Sequence, residues 1–305
     1  MKPVVYPFLI AGILAVSGNL SAQSGAGVDS TGLPGDQFSL QGALELFRKA
    51  ESPEAFEKLL NSKDNSVNNL DLNEDGQVDY ISVIDRAGTN THAFVLQVAV
   101  SASEKQDIAV IELEKTGPET AMVQIVGDED LYGEQVIVEP RSEEADQTYA
   151  DPRLVRPRGP AMEEAAAPEA IVVNVWFWPG VRFVYAPVYA AWVSPWRWHY
   201  YPTWYRPWRP LAWHVVRPRV IVYQRPFVVV HTHRVMAAHR VYTPVRVYST
   251  SVRTRNAVVV NNYRVTRTKT TVTGPRGHAV TKTSTTVRGK NGHVKAKHTR
   301  VRSRH

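Results

Sequence analysis

The chain has 305 residues, no cysteine, and 36 Lys and Arg against 29 Asp and Glu, a formal net charge of +7. The length allows about two domains; the missing thiols exclude a disulfide framework, a lipid-bearing cysteine and a thiol nucleophile, so stability rests on a core, a metal or a partner. All 29 carboxylates lie at or before Glu169, where they face twelve Lys and Arg, so residues 1–169 carry −17 and residues 170–305 carry +24. Folded surfaces normally mix both signs. An acid-free stretch of this length implies a polyanion partner, or the acidic half of its own or a neighbouring chain.

In chain order, residues 1–22 read as a secretory signal, with Lys2 as the positive start, residues 4–16 as the apolar core and Leu20-Ser21-Ala22 as the cleavage site. Pro7 and Gly12 break that apolar core, and it is shorter than the roughly 20 residues a spanning helix needs, so export without an anchor is expected. Residues 23–37 are rich in Gly and Ser and read as a flexible segment. Residues 38–139 read as one acidic α+β domain. Ser39 is placed to cap a helix carrying Leu40, Leu44, Leu46 and Phe47, and Ser52-Pro53 is a good start for a second helix with Phe56, Leu59 and Leu60. Beyond Asp75-Gly76 the period changes to two, which predicts strands at 80–85, 93–100, 108–114, 121–126 and 135–138. Phe94, Leu96, Val98 and Val100 share one strand face, as in an antiparallel meander with one side covered by the two helices.

Residues 140–170 are rich in Pro, Glu, Arg and Ala and read as a linker. All eight tryptophans then fall in residues 171–216, a Trp/Arg/Pro-rich region whose proline density rules out a continuous helix. Residues 217–305 alternate Val with Arg, Thr, His or Tyr and read as a basic region, strand-like or partly disordered. Its end carries a repeat, TTVTGPRGHAVTK against TTVRGKNGHVKAK at a spacing of fifteen, each copy patterned as a small hairpin.

The sharpest chemical motif is DLNEDGQVD at residues 71–79. Oxygen side chains at positions 1, 3 and 5, glycine at 6 and an aliphatic residue at 8 are what wraps a loop around Ca²⁺. The motif resembles EF-hand calcium loops, although position 12 is Ser82 rather than a bidentate Glu and a strand follows. With Asp at position 9 it is also similar to the D-x-N-x-D-G-x-x-D loops of dockerins, thrombospondin type 3 repeats and integrin-type propeller repeats. That resemblance implies side-chain oxygens from Asp71, Asn73, Asp75 and Asp79 and a carbonyl from Gln77, with Asp85 as a further ligand. Without a bidentate ligand the site is expected to be weak, on the order of 10⁻⁴ to 10⁻³ M, and structural.

The tryptophan block admits three readings. Trp196, Trp198, Trp204 and Trp208, interleaved with Arg197, Arg206, Arg209, Arg217 and Arg219, have the make-up of a surface that stacks on bases or sugars and pairs with phosphate or sulfate. The same residues suit an anionic membrane surface. Alternatively Trp176, Trp178, Phe183 and Tyr185 are strand residues packed on the first domain or on another chain. His231 and His233 share a strand face with His239 nearby, a possible Zn²⁺ or Cu²⁺ cluster opposed by the surrounding arginines. Catalytic signatures are missing; Glu112 and Glu114 read as a solvated strand face, and His92 stands alone.

The runs LDLNEDGQVDYISVIDR, VLQVAVSASEKQDIAVIELEKTG, VQIVGDEDLYGEQVIVEP and WPGVRFVYAPVY resemble secreted and envelope proteins of Gram-negative bacteria, especially Bacteroidota. The resemblance implies a periplasmic, outer-membrane-surface or extracellular setting and no particular activity. The expectation is a non-enzymatic envelope or matrix protein, stiffened by Ca²⁺ and adhering to polysaccharide, lipopolysaccharide or DNA, with no small-molecule substrate. The rival expectation is self-association, the acidic half of one chain pairing with the basic half of another.

Overall fold

The computed structural model describes residues 32–142, residues 172–263, and three strands within 266–304. The expected signal, most of the 23–37 segment, nearly all of the linker and the two repeat turns lie outside the described residues. Both expected helices form where their caps place them. Ser39 accepts the Gly42 amide at 3.0 Å to start α1 (Leu40–Lys49), and Ser52 accepts the Ala55 amide at 3.1 Å to start α2 (Pro53–Leu60). Pro53 occupies a first-turn position whose amide has no helical partner in any case.

Five strands follow as an antiparallel meander: β1 (Ile81–Ala87), β2 (Thr91–Ala99), β3 (Lys105–Gly117), β4 (Thr120–Gly127) and β5 (Val136–Pro140), with a short helix α3 (Glu129–Tyr132) before the last. The register sets Phe94 opposite Ile111 and Ile111 opposite Ile125, so one face of the sheet is continuous and apolar. Leu44, Phe47, Phe56 and Leu60 of the helices close on that face, the rings of Phe47 and Phe56 meeting edge to face at 5.3 Å. Each such fully buried side chain contributes about 1.5–3 kcal/mol.

The opposite face departs from the one-sided expectation, because it is covered too. Ala93, Val95, Val110, Val126 and Ile137 pack under Tyr242 of α6 (Met236–Tyr242) from the basic half. The basic half also extends the sheet, its β6 (Phe227–Val230) pairing with β5 so that Val229 lies opposite Val138. At the far edge β1 is closed by the tryptophan region: Asp85 donates its amide to the Trp192 carbonyl at 2.7 Å, and Ser194 donates to the Val83 carbonyl at 3.0 Å. Both edges of the meander are thereby covered by chain from beyond residue 171, which removes the hazard of open strand edges.

Residues 213–263 also differ from the strand-like reading, being largely helical. They form α5 (Trp213–Val220), β6, α6 and α7 (Thr250–Tyr263), preceded by the single turn α4 (Pro179–Val184). Val216 and Val220 of α5, four apart, are both buried, and Ser249 caps α7 by accepting the Val252 amide at 3.2 Å. One-sided burial and a serine cap here outweigh the β-propensity of Val and Thr. The repeat segments form a separate antiparallel sheet of β7 (Thr266–Thr273), β8 (Ala279–Arg288) and β9 (Val294–Arg304). No helix among the described residues is long and apolar enough to cross a membrane.

Candidate calcium loop and arginine–aromatic surface

The loop after α2 is shaped by its own side chains. Asp71 accepts the amides of Asp75 (3.1 Å) and Gly76 (2.9 Å), Asn73 accepts that of Asp75 (2.9 Å), and Asp75 accepts that of Gln77 (2.8 Å). Gly76 has φ +80° in open space, the left-handed conformation the sixth position of such a loop requires, and Glu74 shares it at φ +62°. Asp79 is turned inward, its carboxylate accepting the Leu72 amide. Burial pushes the Asp79 carboxyl up to about 7; the Leu72 amide opposes this, while the Asp71 and Asp75 charges reinforce it. Oxygen donors of the kind calcium takes stand at 71, 73 and 75, each engaged with a backbone amide of the loop, and calcium binding would have to draw Asp79 from the Leu72 amide. Asp85 is not brought to the loop. It is buried farther along β1, where its carboxylate accepts Tyr189 Oη and meets His92 Nδ1, each at 2.8 Å, so His92 is not alone either.

The basic half grips this loop from two sides. Arg255 of α7 donates to the Leu72 carbonyl and lies 3.3 Å from Glu74. Where the loop leaves for β1, the Val78 amide donates to the Trp208 carbonyl and Tyr205 Oη donates to the Val78 carbonyl, both at 2.7 Å. Tyr80 packs against Tyr201, Trp204 and Tyr205 at 4.9–6.3 Å between ring centres.

Aromatic residues of the block divide between core and surface. Trp176, Trp178, Tyr185, Tyr189 and Trp192 pack against the helix-side core, from turns rather than strands, while Phe183 stays 46 % exposed. Trp196, Trp198 and Trp208 are half-buried and Trp204 is exposed, 5.8 Å from the Lys58 ammonium. Among the arginines, Arg197 lies over Tyr200 at 5.2 Å and Arg217 over Trp213 at 5.6 Å. Arg206 donates to the Thr203 and Tyr205 carbonyls, and Arg209 and Arg219 are exposed. None of these five is ion-paired with a carboxylate among the described residues, whereas Arg234, Arg246, Arg253 and Arg255 all are.

His231 is exposed and apart, whereas His233 and His239 meet on Glu112. Glu112 is therefore not on a solvated face, as its alternation with Glu114 suggests, but fully buried beneath α6. Among the described residues, Glu112, His233 and His239 are the group whose carboxylate and imidazole ligand atoms all lie within 4.8 Å of one another; the carboxylates of Asp71, Asp75 and Asp79 do not form such a group. The sequence signal for Glu112 was faint. It is one charged residue on the strand face that carries Val110, next to the apolar run that fills the helix-side core. Comparisons of the chain with protein-family models, with curated proteins and with solved structures give no match.

Proposed function

We propose that this is an exported, non-enzymatic envelope or matrix protein that adheres to anionic polymer through its tryptophan- and arginine-rich face, with a weak structural Ca²⁺ in the 71–79 loop. The observation that carries the reading is the division among the arginines. Arg234, Arg246, Arg253 and Arg255 are taken up by acids of the same chain, while Arg197, Arg206, Arg209, Arg217 and Arg219 have no carboxylate partner among the described residues, and Arg197 and Arg217 lie over aromatic rings. Guanidinium groups on a surface that also carries the exposed rings of Tyr200 and Trp204 offer both halves of polyanion recognition, charge for phosphate or sulfate and a face for stacking. Calcium supports the same surface, since the loop's exit strand is bonded to Tyr205 and Trp208.

The test measures binding of the mature chain to a DNA duplex across a salt series, since each neutralised phosphate contributes about −0.9 to the log–log slope. Replacing Arg206, Arg209 and Arg219 together by Ala is expected to make that slope shallower by about 3, roughly one per lost phosphate contact. An unchanged slope would remove these residues from the interface. For calcium, titration at millimolar concentration is expected to release or absorb heat and raise the melting temperature; neither effect appearing would remove the ion from the reading.

Pairing between chains is the second reading. Its support is that acid–base contacts exist across the two halves, with Arg246 and Arg253 on Asp128 and Asp130, and residues 143–171 join those halves. A neighbouring chain offering the same residues would reproduce the contacts. Concentration-dependent association suppressed by salt would favour it over the first reading.

A further inference from the structure

Three elements converge on one buried carboxylate. Glu112 projects from β3, fully buried; His233 arrives from the turn after β6 and meets Oε2 through Nε2; His239 arrives from α6 and meets Oε1 through Nδ1 at 2.7 Å. The two imidazole rings are 4.1 Å apart at an angle of 60°, and each meets a different oxygen of the one carboxylate.

The positions are held by groups that take no part in the cluster. Gln124, directly opposite Glu112 in the β3–β4 register and 1 % exposed, donates to the Thr232 carbonyl at 3.0 Å and accepts the amides of Arg234 (2.8 Å) and Val235 (3.3 Å). That clamp fixes the backbone on both sides of His233. Glu114 accepts the Ala237 amide at 3.3 Å and so holds the first turn of α6, which carries His239. The arginine next to His233 does not oppose a cation here, because Arg234 faces Glu139 at 3.3 Å.

A fully buried carboxylate, opposite Ala93 in the register and two residues from Val110, needs charge or hydrogen-bond compensation, which it draws from this pair of imidazoles. Two imidazole nitrogens and one carboxylate form the donor set that borderline divalent ions take; both nitrogens now donate to the carboxylate, so an ion entering between them displaces those protons and supplies the charge in their place. Bonds of about 2.0–2.2 Å to a tetrahedral ion put its ligand atoms roughly 3.3–3.5 Å apart. The ligand atoms of the observed cluster lie within 4.8 Å of one another, and the His239–Glu112 contact, at 2.7 Å, is shorter than that spacing, so the imidazoles part from the carboxylate to admit an ion. The side chains of His233 and His239 are 13 % and 23 % exposed, so an ion has access from solvent and a fourth position is left for water.

We propose that Glu112, His233 and His239 form a site for a single Zn²⁺- or Cu²⁺-class ion, separate from the calcium loop. One ligand comes from the acidic half and two from the basic half, so the ion staples the halves across 121 and 127 residues of chain. Losing it loosens α6 from the sheet.

The experiment uses the full mature chain with Ca²⁺ in excess, so that the oxygen-rich loop does not compete for the added ion. Zn²⁺ titration is expected to show one tight equivalent. His231→Ala should leave it unchanged, and the double variant His233→Ala/His239→Ala should weaken it by more than the roughly 10–100-fold typical of losing one supporting hydrogen bond. Tight binding retained in the double variant overturns the proposal. Because that variant is exposed to misfolding, Co²⁺ is added to the unaltered protein in parallel: a visible d–d band of a four- or five-coordinate nitrogen–oxygen site, displaced by one equivalent of Zn²⁺, is expected. Absence of that band overturns the proposal whatever the variants do.

Discussion

At the scale of single residues, buried acids tie the two halves together. Glu57 of α2 accepts four hydrogen bonds, from Tyr80 Oη (2.7 Å), the Val83 amide (2.9 Å), Ser194 Oγ (2.8 Å) and Trp192 Nε1 (3.1 Å), and so joins helix, first strand and tryptophan region. Glu57→Ala leaves all four donors without their acceptor and is expected to cost about 2–4 kcal/mol in urea unfolding. A loss below about 1 kcal/mol would show that water or a neighbour replaces it. Asp107 gives a pH dependence. Burial pushes its carboxyl up to about 6, against the Val247 amide, Gln97 and Tyr242, which pull it down. A folded value above the ordinary carboxylate range of about 3.9 means the native state holds the proton more tightly. The associated stability is complete below pH ~4 and is lost as pH rises through about 6, on the order of 3 kcal/mol in all. Unfolding measured from pH 4 to 7 should show that decline together with the one Asp79 contributes, and Asp107→Asn should remove only the Asp107 share.

Among the elements, the α3 turn shows how the basic half is locked on. Asp128 caps α3 by accepting the Asp130 amide at 2.9 Å, and Arg246 holds both oxygens of Asp128, at 2.7 and 3.0 Å, while reaching Asp130 at 3.1 Å. Burial raises the Asp128 carboxyl despite that arginine, so the pair carries a desolvation cost that its hydrogen bonds must offset. Arg246→Ala strands a carboxylate whose side chain is only 2 % exposed and is expected to destabilise by about 3 kcal/mol. Arg246→Lys should recover only part of this, since an ammonium does not reproduce the two-pronged contact. Thermal melts of the three proteins check both statements. The caps of α1 and α2 were legible because Ser39 and Ser52 stand directly before apolar residues at helical spacing. The Ser249 cap was hidden in a run of Val, Thr and Arg whose propensity favours strand.

For the whole molecule, the acidic segment is not a self-sufficient layer. A chain ending before residue 172 lacks the cover over Ala93, Val95, Val110 and Ile137, the β6 strand, and the 192–194 segment that closes β1. It is expected to bind a hydrophobic dye and to lack a cooperative urea transition; a sharp transition equal to that of the full chain would contradict this dependence. The boundary near Glu169 divides charge but not fold, because the sheet takes strands from both sides of it.

Local features were legible in the sequence: two capped helices, five strands of period two, an oxygen-rich loop with glycine at its turn, and the separation of acid from base. These depend on neighbours a few residues apart, which a linear reading contains. Tertiary contacts set which arginines pair with an acid of the same chain, that the second face of the sheet is covered, and that Glu112 meets His233 and His239 rather than solvent. Those outcomes depend on burial and pairing across more than 100 residues of chain, and neither the period of a strand nor the sign of a charge records its distant partner.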